Sequence, residues 1–248
     1  MKDIEVKVLN PEEAKASEKM MVCAARLTQS GHLIKNVDDF MNLYNKDYKE
    51  STAQIMSDME HTTLRRLNTI SIVLVNISRR ALMQLRTYTS GITFVSASCQ
   101  YSNWKDSNCV IPYEIIGDKD KVKKYVEEYK RNFEYYKDLV DSGINHDDAA
   151  YALPMGLRNV LIMSATPQAW RHIINQRSCR RNTTETRYIT LKIWDELYKL
   201  NPILFGTNCG PYCMNGNCKE GRMSCGIIMD KNKKPSDFLK EDFPKLYK

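Results

Sequence analysis

Long apolar runs are missing from this chain. Among its 248 residues no stretch approaches the roughly 20 consecutive apolar side chains that cross a bilayer, so no membrane partner is expected. The opening MKDIEVKVLN has the pattern of a charged strand rather than a signal peptide, which points to a cytoplasmic protein. Also missing are a P-loop, a G-x-G-x-x-G fingerprint, an H-E-x-x-H helix and a G-x-S-x-G elbow. Their absence sets aside the commonest phosphoryl-transfer, dinucleotide, zinc-protease and hydrolase designs. There is no internal repeat and no low-complexity linker.

Acidic residues are in deficit. Lysine and arginine number 37 against 30 aspartates and glutamates, a net charge of +7, which favours an anionic partner. No basic arm or named nucleic-acid motif accompanies it, so scattered arginines for small phosphorylated ligands are expected rather than bulk nucleic acid. Four of the eight cysteines, Cys23, Cys99, Cys109 and Cys179, are dispersed. The others, Cys209, Cys213, Cys218 and Cys225, form C-x3-C-x4-C-x6-C among glycines and a proline. This spacing lacks the paired C-x2-C knuckles of zinc sites; no metal ligand is assigned, and the loop stays open between a metal and reduced thiols.

Ile4 to Leu9 alternates as a short strand. Asn10, Pro11, Glu12 and Glu13 then supply a helix start, with the helix running to about Leu27. A second helix from Asp38 is expected to bury Phe40, Leu43 and Tyr44, and the polar stretch 46–58 to be helical as well. The clearest strand runs from Leu67 to Asn76, rich in β-branched residues. Ser78 caps the helix after it, in which Ala81, Leu82 and Leu85 form a buried stripe, and a polar return segment follows Gly91. Residues 101–112 read as a mobile, turn-rich loop. From Asp118 to the stop at Gly143 a long helix repeats Val122, Val126, Tyr129, Phe133, Tyr136 and Val140 at core spacing. Asp147 and Asp148 start a short helix, Arg158 to Met163 reads as a strand, and Pro167 opens a helix towards Arg177. Another helix carries Tyr188, Leu191, Trp194 and Leu197 and stops before Pro202. The lysine-rich stretch beyond Gly226 is expected to pack little.

Two blocks, HTTLRRLNTISIVLVNISRRALMQL and LPMGLRNVLIMSATPQAWRHIINQRSCRRNTTETR, resemble the flavin-dependent thymidylate synthases. A third, CGPYCMNGNCKEGRMSCG, is similar to a cysteine-bearing C-terminal loop of some members. The resemblance covers most of residues 55–226. It implies an α+β fold, a largely antiparallel sheet flanked by helices, over one domain at 1–226 with a basic tail at 227–248. It further implies a homotetramer with sites at subunit interfaces. The implied chemistry is FAD-dependent reductive methylation of dUMP to dTMP, or a related C5 modification, with methylenetetrahydrofolate and NADPH as co-substrates. That chemistry requires no cysteine nucleophile.

The resemblance assigns Ser98 and Arg177 to catalysis at the pyrimidine, Gln84, Ser98, Arg177 and Arg86 to the nucleotide, and His61, Thr63, His172 and Arg181 to the flavin. Arg79 matches a structural arginine. The chain departs from the family where the signature Arg-His-Arg falls on Thr87, Tyr88 and Thr89. Ala97 and Gln100 flank Ser98 in place of an acidic residue and an arginine. Glu60 and Arg66 replace a glycine and a glutamate beside His61, and Ala150 falls where a nucleotide arginine is expected. Thr166 and Gln168 stand at positions of Asn and Arg, and Arg181 where His is common. Arg66, Arg80, Arg86, Arg171, Arg180 and Arg181 either rebuild an anion site or are solvated surface charges. With the signature cations missing, a second function is carried alongside the first: a degenerate paralogue that binds nucleotide as a regulatory or structural subunit without flavin chemistry.

Overall fold

The β-branched run that starts at Ile70 becomes the centre of a four-stranded sheet. The structure is a computed structural model that describes residues 1–206, 208–216 and 218–247. Its strands are β1 (Glu5–Val8), β2 (Ile70–Ser78), β3 (Ile92–Ser96) and β4 (Arg158–Ala165), in the order β1-β2-β4-β3 with every neighbouring pair antiparallel. The helices are α1 (Pro11–Ser30), α2 (Val37–Asn45), α3 (Glu50–Asp58), α4 (Arg79–Leu85), α5 (Lys119–Asp141), α6 (His146–Ala149), α7 (Pro167–Arg177), α8 (Thr184–Leu200), α9 (Pro202–Phe205) and α10 (Pro235–Asp242). The expected α+β class with an antiparallel sheet is what the chain adopts.

Period-two alternation turns Ile70, Ile72 and Leu74 to one face, where they pair with Ala165, Met163 and Leu161 of β4 and are fully buried. Each such aliphatic side chain contributes about 1.5–3 kcal/mol of burial. At Asn76 the strand bulges. Its φ of 62° is left-handed, the register shifts between Val75 and Ile77, and its Nδ2 donates to the Asp3 carbonyl at 3.0 Å. After the bulge Ile77 and Ser78 are both buried, and α4 starts at once. The Ser78 hydroxyl accepts from Ala81 N as the expected cap, and it donates to Glu185 at 2.6 Å, fastening α4 to the start of α8.

Helix α8 runs through the middle of the core. Tyr188, Ile189, Leu191, Ile193, Trp194 and Leu197 are all buried, and Thr186, Arg187 and Thr190 are buried with them, so most of its girth is enclosed. The indole N–H groups of Trp170 and Trp194 are satisfied by the carbonyls of Ile70 and Phe205. On α5, Tyr129 and Tyr136 are buried, and Tyr136 belongs to a smaller cluster with Trp104, Ala149 and Leu157.

Several expectations are corrected. Asn10 does not cap α1 with its side chain; it bridges instead to the edge of β2, accepting from Ser71 N and donating to the Thr69 carbonyl. Phe40, Leu43 and Tyr44 on α2 are half-buried rather than core. The return segment after Gly91 holds strand β3, which pairs on one side only, with β4. The turn-rich loop is pinned, since Trp104 is buried with its indole donating to the Ser98 carbonyl, and Cys109 bridges to Leu157. The lysine-rich stretch after Gly226 packs: Met229, Phe238, Leu239, Phe243 and Leu246 are buried, and α10 lies on α8. Lys231, Lys234, Lys240 and Lys245 stay exposed while Phe238 and Phe243 complete the core.

Candidate functional site

Helix α7 ends at Arg177 beside the turn that follows α4, and this meeting builds the site. The half-buried guanidinium of Arg177 donates from Nε to the Tyr88 hydroxyl at 2.9 Å and from Nη1 to Asn182 Oδ1 at 3.0 Å. From Nη2 it reaches Thr87 Oγ1 at 3.0 Å and the Gln84 carbonyl at 3.3 Å. Of its five N–H groups, one on Nη1 is left without an acceptor among the described residues. The Gln84 side chain is held just as firmly, its Oε1 accepting from Thr183 at 2.6 Å and Thr186 at 2.5 Å. The sequence patterns that singled out Gln84 and Arg177 did not indicate Asn182, Thr183 or Thr186. Their one signal was a hydroxyl-rich helix start, which reads equally well as capping.

Tyr88 sits between Arg177, whose guanidinium carbon is 5.3 Å from the ring centre, and His172, which meets it edge-on at 5.8 Å. Burial raises the pKa of the Tyr88 phenol, with Arg177 pulling the other way, so the hydroxyl stays protonated. Burial first, and Lys219 second, lower that of the His172 imidazole. His172 is therefore neutral at pH 7, and its titration followed by proton NMR is expected to centre below the ordinary midpoint of about 6.5. A midpoint at or above that value would show that the ring faces a carboxylate.

Thr87, Tyr88, Ser90, Ile92, His172 and Arg177 enclose a cavity of about 330 Å³. Arg177 also stands on the wall of a second cavity, of about 320 Å³, together with Arg181 and four cysteines. His61 and Thr63 lie elsewhere, on an apolar groove of about 530 Å³ between α1 and α3 that includes Ile55 and Met56. A polar cavity lined by Met59 and His172 adjoins both this groove and the Tyr88 cavity. Arg86 is exposed, with no side-chain partner among the described residues. Ser98 stands apart. It lies two residues beyond the end of β3 and lines none of the cavities named above; its hydroxyl accepts from Gln100 N.

Of the arginines considered as replacements, Arg171 is structural: it is buried and bonds Ser57 Oγ and the carbonyls of Leu204 and Asn208. Arg180 pairs with Asp242 at 2.7 Å. Arg66, Arg80, Arg86 and Arg181 remain exposed. Arg65, which sequence reasoning passed over, is buried and bonds Gln168 and three carbonyls at the end of α3, thereby setting the turn that presents His61.

The model of the Thymidylate synthase complementing protein family matches residues 11–203. The chain belongs to this family, that of the flavin-dependent thymidylate synthases. Over 115 residues it is 29% identical to the flavin-dependent thymidylate synthase of Pyrococcus abyssi, covering 45% of this chain and 47% of the relative. Over 110 residues it is 31% identical to that of Clostridium tetani, covering 44% and 41%. The chain thus spans about half the length of the curated relatives it matches. Among solved structures it is similar to the UMP/dUMP methylase PolB from Streptomyces cacaoi bound with 5-Br dUMP, with a TM-score of 0.66 at 18% identity over 82% of this chain and 93% of that one. It is also similar to thymidylate synthase X from Helicobacter pylori with FAD and dUMP, with a TM-score of 0.59 at 15% identity over 82% and 97%. At these identities the two likenesses establish the fold.

FAD would bring a diphosphate, which calls for fixed cations and free donors. At the flavin-dependent synthase signature the Thr87 hydroxyl already donates to the Gln84 carbonyl, and the Thr87 and Tyr88 oxygens both accept from Arg177. His172 adds no charge at neutral pH. The signature positions themselves therefore bring no fixed positive charge, and among the described residues the nearest free cation is the exposed Arg86.

Proposed function

We propose that this chain binds a dUMP-class pyrimidine nucleotide at the Gln84–Arg177 corner and serves as a regulatory or structural subunit without the family's flavin chemistry. The observation that carries this reading is the tie between Arg177 and the hydroxyls of Thr87 and Tyr88, which fills the signature position with neutral, already bonded groups. The free Nη1 N–H of Arg177 suits a carbonyl oxygen of a uracil ring or a phosphate oxygen, and the Gln84 Nε2 amide, whose Oε1 is already engaged, suits an acceptor on a pyrimidine edge.

The visible spectrum of the purified protein, before and after incubation with FAD, tests the loss of flavin. A colourless protein that retains no FAD through gel filtration is the expected result. A yellow protein that forms dTMP from dUMP with methylenetetrahydrofolate and NADPH would overturn it and favour a second reading, FAD-dependent reductive methylation of dUMP. One observation favours that alternative: His61 and Thr63, both matched to flavin positions, share one groove. That reading also takes the homotetramer that the resemblance implies, with sites built at subunit interfaces and Ser98 supplied by another subunit.

A further inference from the structure

The second cavity beside Arg177, of about 320 Å³, has a lining that neither nucleotide reading uses. Cys179 faces it with three cysteines of the C-terminal loop, whereas Cys209 is buried in the main core, and burial keeps the Cys179 thiol protonated. Charge comes from elsewhere. Among the described residues the wall carries four cations, Arg177, Arg180, Arg181 and Lys219, against one carboxylate, Glu220. The three arginines fall within five consecutive positions at the end of α7, and Lys219 reaches the same wall from a loop that reverses at Gly216 and Gly221, where φ is left-handed at 73° and 50°. Like charges gathered in one cleft repel, and the field they make draws a counter-ion. Few of them are neutralised within the chain. Arg180 pairs with Asp242, but shares that carboxylate with Arg187. Arg177 bonds only neutral groups, Lys219 lies 4.0 Å over the ring centre of Tyr212, and the exposed Arg181 side chain has no hydrogen bond or ion pair among the described residues.

We propose that this cavity binds the phosphate group of a small phosphorylated molecule. Two donors await an acceptor there. Arg180 Nε is buried with none among the described residues, and the free N–H of Arg177 is on Nη1, the nitrogen that bonds Asn182, itself a residue of this wall. Buried donors are rarely left so, and an orphan of this kind points to a missing partner. A phosphate brings three strong acceptor oxygens and close to two negative charges at pH 7, enough to engage both donors and still meet Arg181 and Lys219. A carboxylate, with two oxygens and one charge, would leave part of the cluster unmet. The volume is that of a small-molecule site, and Pro211, Ile227 and Met229 offer apolar contact to whatever carries the phosphate. Two sources share this chemistry. One is the nucleotide of the adjoining corner, since Gln176 and Arg177 line both cavities; the other is a second phosphorylated molecule. The site rests on its own lining and holds whether or not the chain binds a nucleotide.

Inorganic phosphate titrated into the purified full chain in a phosphate-free buffer, followed by phosphorus NMR, tests this. Saturable binding is expected, weakened about tenfold by Arg181→Ala and about tenfold by Lys219→Ala. Both side chains are exposed, so the variants are expected to fold. Arg222→Ala removes an exposed cation of the same loop that lies outside the cavity, and is expected to keep the wild-type affinity. Adding dUMP then separates the sources: displacement of the phosphate supports the site and assigns it to the nucleotide, and simultaneous binding supports it and assigns it to a second molecule. If dUMP fails to bind while phosphate binds as described, the nucleotide reading fails and the phosphate site stands. No saturable phosphate binding by the folded wild-type chain, an affinity unchanged in both cavity variants, or an equal loss in Arg222→Ala would overturn the proposal.

Discussion

Asp242→Ala is expected to lower the unfolding free energy by about 3–5 kcal/mol, the cost of leaving a buried ion pair half-made. Asp242 sits at the end of α10 with only 10% of its side chain exposed, between Arg180 at 2.7 Å and the buried Arg187. Arg187 lies on α8 and also donates to the Ser178 carbonyl at 2.9 Å, so its guanidinium cannot swing out to water without breaking the α7–α8 connection. For a chain of this length the loss corresponds to a fall of roughly 10 °C in melting temperature. Chemical denaturation and a thermal melt check both quantities. The exposed pair of Lys233 and Glu241 gives the contrast, because Lys233→Ala is expected to leave the melt unchanged. A loss no larger at Asp242 than at Lys233 would show that the C-terminal segment is an appendage.

Arg177→Ala is expected to weaken dUMP binding about 100-fold, from the loss of a charge-assisted contact worth about 1.5–3 kcal/mol. The same change frees Tyr88 and Thr87, whose hydroxyls it otherwise holds. Arg177→Lys separates charge from geometry. A lysine keeps the cation but cannot reach Tyr88, Thr87 and Asn182 as a fork, so binding is expected to fall close to the alanine level. Calorimetry on folded variants checks this, and unchanged affinity in Arg177→Ala would place the nucleotide elsewhere.

The sequence declared its local structure well where one force dominated. The alternation at Ile70, Ile72 and Leu74 and the cap at Ser78 act within a few residues, and both appear where their patterns put them. Strand β3 was hidden because an edge strand with one partner buries each side chain only partly; Ile92, Phe94 and Ser96 are half-buried while Thr93 and Val95 between them are exposed. The role of the C-terminal segment was hidden by its lysines, since composition averages over the few positions, Phe238, Phe243 and Asp242, that meet α8. The family pattern singled out Gln84 and Arg177, which the fold brings together, yet their supports come from residues about 90 positions away in sequence or from short polar runs with no periodicity. The exchange of Cys209 for Cys179 is a tertiary fact that spacing along one loop cannot contain.

The central claim is that the nucleotide corner works without flavin. Calorimetric titration of dUMP into protein freed of any flavin tests it most directly. Saturable binding of one nucleotide per chain, unaffected by added FAD, is the predicted result. No heat from the flavin-free protein, with binding that appears once FAD is supplied, would contradict the claim and return the chain to the flavin-dependent synthases in mechanism as well as in fold.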